Sequence, residues 1–83
     1  MDLIARTPQQ LGAAIRRQRK RARLSQDELG TKIRLRQATI SKLEAGEPAT
    51  RLKTLLDALA ALDLELVIRP RTKGSAADLE DIF

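Results

Sequence analysis

The amino-acid sequence predicts a mainly all-α domain, four to five helices long, ending in one C-terminal β-strand that pairs across a homodimer. Three observations carry this. Between residues 8 and 62, apolar residues recur at helical spacing in successive stretches that open on capping residues. One later run, Leu64-Glu65-Leu66-Val67-Ile68-Arg69, is short, apolar and β-branched, and is closed by Pro70. Finally, 83 residues without cysteine or histidine have neither disulfides nor a zinc site to staple them, so a second copy is the remaining common source of buried area. The chain divides into an N-terminal arm (1–7), a helical domain (8–62), a dimerisation strand (63–70) and a flexible tail (71–83).

Each element follows from local chemistry. Helix one, 8–22, opens on Thr7 as cap, with Pro8 at the first helical position and Gln10 placed to close a capping box. Leu11, Ala14, Ile15, Gln18 and Ala22 form a thin inward stripe, and Gly12 weakens the first turn by about 1 kcal/mol relative to Ala. Arg16, Arg17, Arg19, Lys20, Arg21 and Arg23 fill the opposite face. Helix two, 26–33, has Ser25 as cap and Glu28 at the third position, a second capping box. Asp27 and Glu28 also suit the positive end of the helix dipole, and Leu29 and Ile33 share a face.

Arg34-Leu35-Arg36 makes the turn into helix three, 37–45. Its apolar positions are Ala38, Ile40, Leu43 and Ala45, of which Ile40 and Leu43 form the buried pair. Gly46 is its natural stop, with Pro48 just beyond. Thr50 is placed to cap helix four, 51–62, where Leu52, Leu55, Leu56, Leu59 and Leu62 give the cleanest stripe in the chain. The run at 64–69 has no second strand-like run to join. Either helix four continues to Ile68, or the strand, carried by Leu64, Leu66, Val67 and Ile68, pairs with its own copy about a two-fold axis.

Composition narrows the function. Sixteen Lys and Arg against eleven Asp and Glu leave a net charge of +5, which favours a polyanionic partner, nucleic acid or an anionic membrane. No apolar run approaches the ~20 residues of a membrane span, and helix one lacks the large aromatics of a surface-lying helix. The first six residues do not have the layout of a secretion signal. Without Cys or His there is no thiol nucleophile and no imidazole base or ligand. Acidic groups at Asp27/Glu28 and Asp78/Glu80/Asp81 have little pocket to shift them. The expectation is therefore no enzyme, no metal, no cofactor and no small-molecule ligand. A single aromatic, Phe83, supplies no stacking platform for single strands.

Two short helices joined by a tight turn have the layout of a helix-turn-helix. The segments Leu24-Ser25-Gln26-Asp27-Glu28-Leu29 and Gln37-Ala38-Thr39-Ile40-Ser41-Lys42-Leu43-Glu44-Ala45-Gly46 resemble the phage-repressor and Cro-like (XRE-type) helix-turn-helix family over about residues 8–62. The QATIS segment, the fourth helix running into Leu64-Glu65-Leu66 and the short tail are most similar to HipB-type antitoxins of type II toxin–antitoxin systems. The resemblance implies a repressor-like fold and a bacterial cytoplasmic protein, nucleoid-associated when on DNA. It further implies a sequence-specific repressor of double-stranded DNA that binds a palindromic operator as a homodimer. As an antitoxin it would also hold a HipA-like kinase toxin and regulate its own promoter; the other reading is a stand-alone or prophage regulator without a toxin.

The resemblance also implies site roles. Gln37, Ala38, Ser41 and Lys42 would face the major groove, where Gln37 suits adenine, Lys42 suits guanine and Ala38 a thymine methyl. Arg36, at the start of helix three, reaches either a base or a phosphate. Gln26 would meet phosphate at the start of helix two. Arg34 adds charge beside the DNA, and Thr39 lies near the groove rim, as a phosphate contact or a plain surface residue. Apart from the resemblance, two of Arg16, Arg17, Lys20, Arg21 and Arg23 on the basic run of helix one are expected to meet the DNA backbone, with Arg16 and Lys20 taken as the candidates. Arg19 would pair with Glu44 and tie helix one to helix three. In the family the turn usually carries Gly followed by a small residue, whereas here it is Arg34-Leu35-Arg36, so any position near Arg34 that needs φ > 0 is strained or reshaped. The acidic tail ends in Leu79, Ile82 and Phe83, which would dock on a toxin, fold back on the dimer, or have no role.

Overall fold

The computed structural model describes residues 3–71. They contain four helices: α1 (Pro8–Arg21), α2 (Gln26–Lys32), α3 (Gln37–Glu44) and α4 (Leu52–Ala61). Each is one or two residues shorter than its periodicity suggests. Thr7 caps α1 by accepting from the Gln10 N–H at 3.0 Å, but the Gln10 side chain returns to the Arg6 N–H at 2.7 Å, one residue before the cap. Ser25 and Glu28 close a full capping box on α2, at 3.0 and 2.9 Å. Thr50 does not cap α4. Arg51 takes that position without a side-chain bond, and the Thr50 hydroxyl donates to the Glu47 carbonyl at 2.9 Å.

All four helices stop in the same way. The second residue past each helix takes a left-handed conformation, and the next N–H reaches back five residues. These bonds run from Leu24 to Arg19, Leu35 to Gly30, Glu47 to Lys42 and Leu64 to Leu59. Only one of the four left-handed positions is glycine: Gly46, at φ 89°. Arg23, Arg34 and Asp63 hold the other three at φ 59°, 59° and 58°. The turn at Arg34 is therefore glycine-like in shape and strained by its side chain, as the residue type implied.

The core is a single cluster of Ile15, Leu29, Ile40, Leu43, Ala58, Leu59 and Leu62, with Leu11, Leu24, Ile33 and Leu55 packed against it. Ile40 and Leu43 are the buried apolar pair of α3. Helix α1 lies directly on the end of α3. A Cβ at Gly12 would sit 2.5 Å from the Glu44 carbonyl oxygen and 2.6 Å from that of Leu43. The residue that weakens α1 is thus the one that lets the two backbones touch.

The leucine stripe of α4 is only partly used. Leu52 is 64% exposed and Leu56 is also open, while Leu59 and Leu62 are buried. The helix ends at Ala61 and does not run to Ile68. Residues 64–71 have no regular secondary structure, since a strand ladder needs a partner backbone and this segment meets none among the described residues. Leu66, Val67 and Ile68 stand exposed, Ile68 at 93%.

The helix stops should respond to substitution with opposite signs. Gly46→Ala should cost about 2 kcal/mol, because a Cβ there meets the Gln9 backbone at 2.8 Å and φ is unfavourable. Arg34→Gly should gain about 0.5 kcal/mol, strain relieved less the added entropy of the unfolded chain. Chemical denaturation of both variants checks the pair.

Candidate nucleic-acid interface

Helix α3 divides its residues cleanly. Ile40, Leu43 and Glu44 point into the protein, whereas Gln37, Ala38, Ser41 and Lys42 are exposed on the opposite side. Spacings of one, four and five residues place these four on one outward face. Arg36, exposed, stands beside its N-terminus, and Arg34 is exposed in the turn. Thr39 is half-buried at the side of the face, and Arg16 and Lys20 are exposed on α1. The outward face of α3 thus carries a single apolar residue, Ala38, among hydrogen-bonding groups and one cation.

The inward face is held by a buried ion pair. The Arg19 guanidinium grips the Glu44 carboxylate with two bonds, Nε to Oε2 at 2.6 Å and Nη2 to Oε1 at 3.0 Å. Its third nitrogen donates to the Leu24 carbonyl at 2.8 Å, which ties the α1–α2 loop into the same knot. Side-chain exposure of the pair is 9% and 3%. Burial pushes the Glu44 carboxyl up. Hydrogen bonds from Arg19 and Gln26, with the nearby charges of Arg19 and Arg16, outweigh burial and hold it below its ordinary value. The bond to Glu44 in turn raises the Arg19 guanidinium.

Gln26 is where the structure adds what residue type could not. Its side chain is half-buried and donates from Nε2 to Glu44 Oε1 at 3.1 Å. Its Oε1 accepts from Gln37 Nε2 at 2.7 Å. A continuous chain of bonds therefore runs from Arg19 on α1, through Glu44 at the end of α3 and Gln26 on α2, to Gln37 at the start of α3. Sequence held one trace of it, two glutamines each opening a helix on either side of a tight turn. Leu79, Ile82 and Phe83 lie outside the described residues. Among those described, no helix is long and apolar enough to cross a membrane, and no group of three or more His, Cys, Asp or Glu is gathered to hold a metal.

A helix-turn-helix family profile matches residues 15–68. Among solved structures, the chain is similar to that of a HipB-O4 20mer complex, with a TM-score of 0.77 and 32% identity over 83% of this chain and 97% of the other. A chain of a HipA-HipB-O2-O3 complex gives the same 0.77, 32%, 83% and 97%. A serine-to-alanine HipB variant on an O2 20mer gives a TM-score of 0.78 at 32% identity, over 87% of this chain and all of that one. No curated protein matches the chain.

The ion pair sets an acid limit on folding. Because folding lowers the Glu44 value below about 4.5, its contribution is complete above that pH and is lost as pH falls through the folded-state value. Glu28, lowered by the Ser25 backbone N–H, adds to the same slope. Glu44→Ala should cost ~3–5 kcal/mol at neutral pH by stranding Arg19, most of the stability of a domain this small, and should flatten the acid dependence that remains. The double change Arg19→Met/Glu44→Leu should cost less than either single change. Urea titrations followed by circular dichroism between pH 3 and 7 check both.

Proposed function

Since the chain belongs to the helix-turn-helix family and is HipB-like in fold, we propose that it is a sequence-specific, operator-binding repressor and the antitoxin of a type II toxin–antitoxin pair. The outward face of α3 carries this reading. A single α-helix fits the major groove, and Gln37, Ala38, Ser41 and Lys42 are the exposed side chains that would enter it. Arg36 extends this base-reading set at its N-terminal edge. Arg34, Thr39, Arg16 and Lys20 serve as phosphate contacts around it, with the second N–H of Gln26 and the N-terminus of α2.

The exposed run of Leu66, Val67 and Ile68 has the apolar, β-branched make-up of a strand, and a second copy supplies the partner backbone it needs. Pairing of residues 64–69 about a two-fold axis sets two α3 helices side by side, at a separation of about one turn of DNA, ~34 Å, for a palindromic site. The exposed Leu52 and Leu56 of α4 are consistent with further burial on assembly. The partner is a HipA-like kinase. Support comes from the similarity to chains solved with O4 and O2 DNA and in a HipA-HipB-O2-O3 complex. Repression of its own promoter follows from that pairing, and the site of action is the bacterial cytoplasm.

Footprinting on the DNA upstream of its own coding sequence should show a protected palindrome, and an adjacent kinase gene should encode a protein that co-purifies with the full chain. Gln37→Ala should relax preference at one base pair per half-site and cost ~1–3 kcal/mol on the cognate duplex; unchanged discrimination would remove α3 from the groove. Deleting residues 64–83 should yield a monomer in sedimentation equilibrium, and a stable dimer after that deletion would refute strand pairing.

A further inference from the structure

We infer that the acidic segment around Asp78, Glu80 and Asp81 docks on the basic face of its own α1, where it stands in for DNA phosphates and is displaced when a duplex binds. The inference rests on the proposed phosphate-contacting role of that face and concerns how the contact is regulated.

The receiving surface lies on α1. Arg16, Arg17, Lys20 and Arg21 are all exposed and line one shallow recess with Ala13. Spacings of one, four and five residues place them on one side of the helix. Among the described residues, none of these four side chains forms a hydrogen bond or an ion pair. The carboxylate at the floor of the recess, Glu44, is buried and already gripped by Arg19. Arg16 and Lys20, like Arg17 and Arg21, are like charges four residues apart, a pairing that weakens a helix until an anion settles between them.

The chain carries a matching anion. Residues 72–83 hold three of its eleven acidic residues and, in Lys73, one of its sixteen basic ones. The three acids fall at 78, 80 and 81, with no cation between them. The four cations fall within about 7.5 Å of helix, at 1.5 Å per residue. The route between the two is short. Arg17 and Arg21 also border a larger groove that Arg69 and Arg71 line as well. From Arg71 to Asp78 an extended chain reaches about 24 Å, roughly three times the length of the cationic stretch.

Tethering makes such a contact effective though each ion pair is weak. A linked segment acts at an effective concentration in the millimolar range, while an exposed pair alone contributes little and is screened by salt. Duplex DNA, with one charge per ~1.7 Å of axis, displaces it. The segment therefore lowers affinity for every duplex by a common factor at low salt and leaves the choice of base to α3.

Zero-length carbodiimide coupling of the full chain without DNA should form an amide between Lys20 Nζ and Asp78, Glu80 or Asp81, detected by mass spectrometry. In a mixture of light and 15N-labelled chains, both halves of the linked peptide should come from one chain. Excess random duplex should abolish the link. The full chain carrying Asp78→Asn, Glu80→Gln and Asp81→Asn should bind random duplex about fivefold more tightly than wild type at ~0.05 M salt, with the two converging toward ~0.3 M. In an Arg17→Gln/Arg21→Gln background the same neutralisation should gain about twofold, whereas a bulk charge effect would repeat the full gain. Absence of the Lys20 link, coupling to Lys32, Lys42 or Lys53 as readily as to Lys20, links only between chains, or equal gains in both backgrounds would overturn the docking. If the Lys20 link forms but neither wild type nor variant binds any duplex, the nucleic-acid reading of this face has failed instead.

Discussion

Arg19 and Glu44 lie 25 positions apart, and their contact joins the first helix to the third in a domain whose apolar core, among the described residues, is seven buried side chains. Two charges out of water are costly, and geometry offsets that cost: two bonds between the partners, a third from Arg19 to the Leu24 carbonyl, and a fourth from Gln26 to Glu44. Each of these fixes a different piece of backbone. The carbonyl belongs to the loop between α1 and α2, and the glutamine opens α2, so the orientation of all three helices is specified by one polar centre. An apolar pair could fill the same volume, but it would not tie the Leu24 carbonyl and the Gln26 amide to the same centre.

The helix stops show a second choice. Glycine is the low-strain residue at a left-handed position, yet three of four such positions among the described residues hold Arg23, Arg34 and Asp63. The two arginines lie just past the ends of α1 and α2, in the connections that lead from the basic helix to α3. Both are exposed, so the strain is accepted where a cation is gained. Asp63 closes α4, away from that face, and nothing in the structure explains it. This arrangement is consistent with stability exchanged for surface charge, a common pattern at functional positions.

Much of this was legible in the residues. Helices with strong local chemistry, such as the Ser25–Glu28 box and the Gly46 stop, were placed to within a residue or two. The buried pair of α3, Ile40 and Leu43, followed from period, whereas the outward placement of Gln37, Ala38, Ser41 and Lys42 was legible through family resemblance. The Arg19–Glu44 contact was legible only through family resemblance, because no local rule links positions that far apart. Two features could not be read at all. Thr50 has the right chemistry for a cap, but the chain turns one residue later and its hydroxyl closes the preceding loop instead. The Gln26 link depends on the angle between α2 and the start of α3, which tertiary packing sets. Likewise, Leu52 and Leu56 satisfy the periodicity of a buried stripe but face outward, because the single chain has no layer to cover them.

The direct contact of α1 with the end of α3 at Gly12 has a mechanical consequence. With no side chain between the two backbones, no rotamer change can widen their crossing, and separating them would open the core around Ile15. The spacing between the cationic flank of one helix and the exposed outward face of the other then behaves as a fixed gauge. Where a rigid gauge meets an elastic duplex, the duplex is the partner that yields. Sequences whose groove width and bending stiffness already suit the gauge would be favoured even at base pairs no side chain reaches.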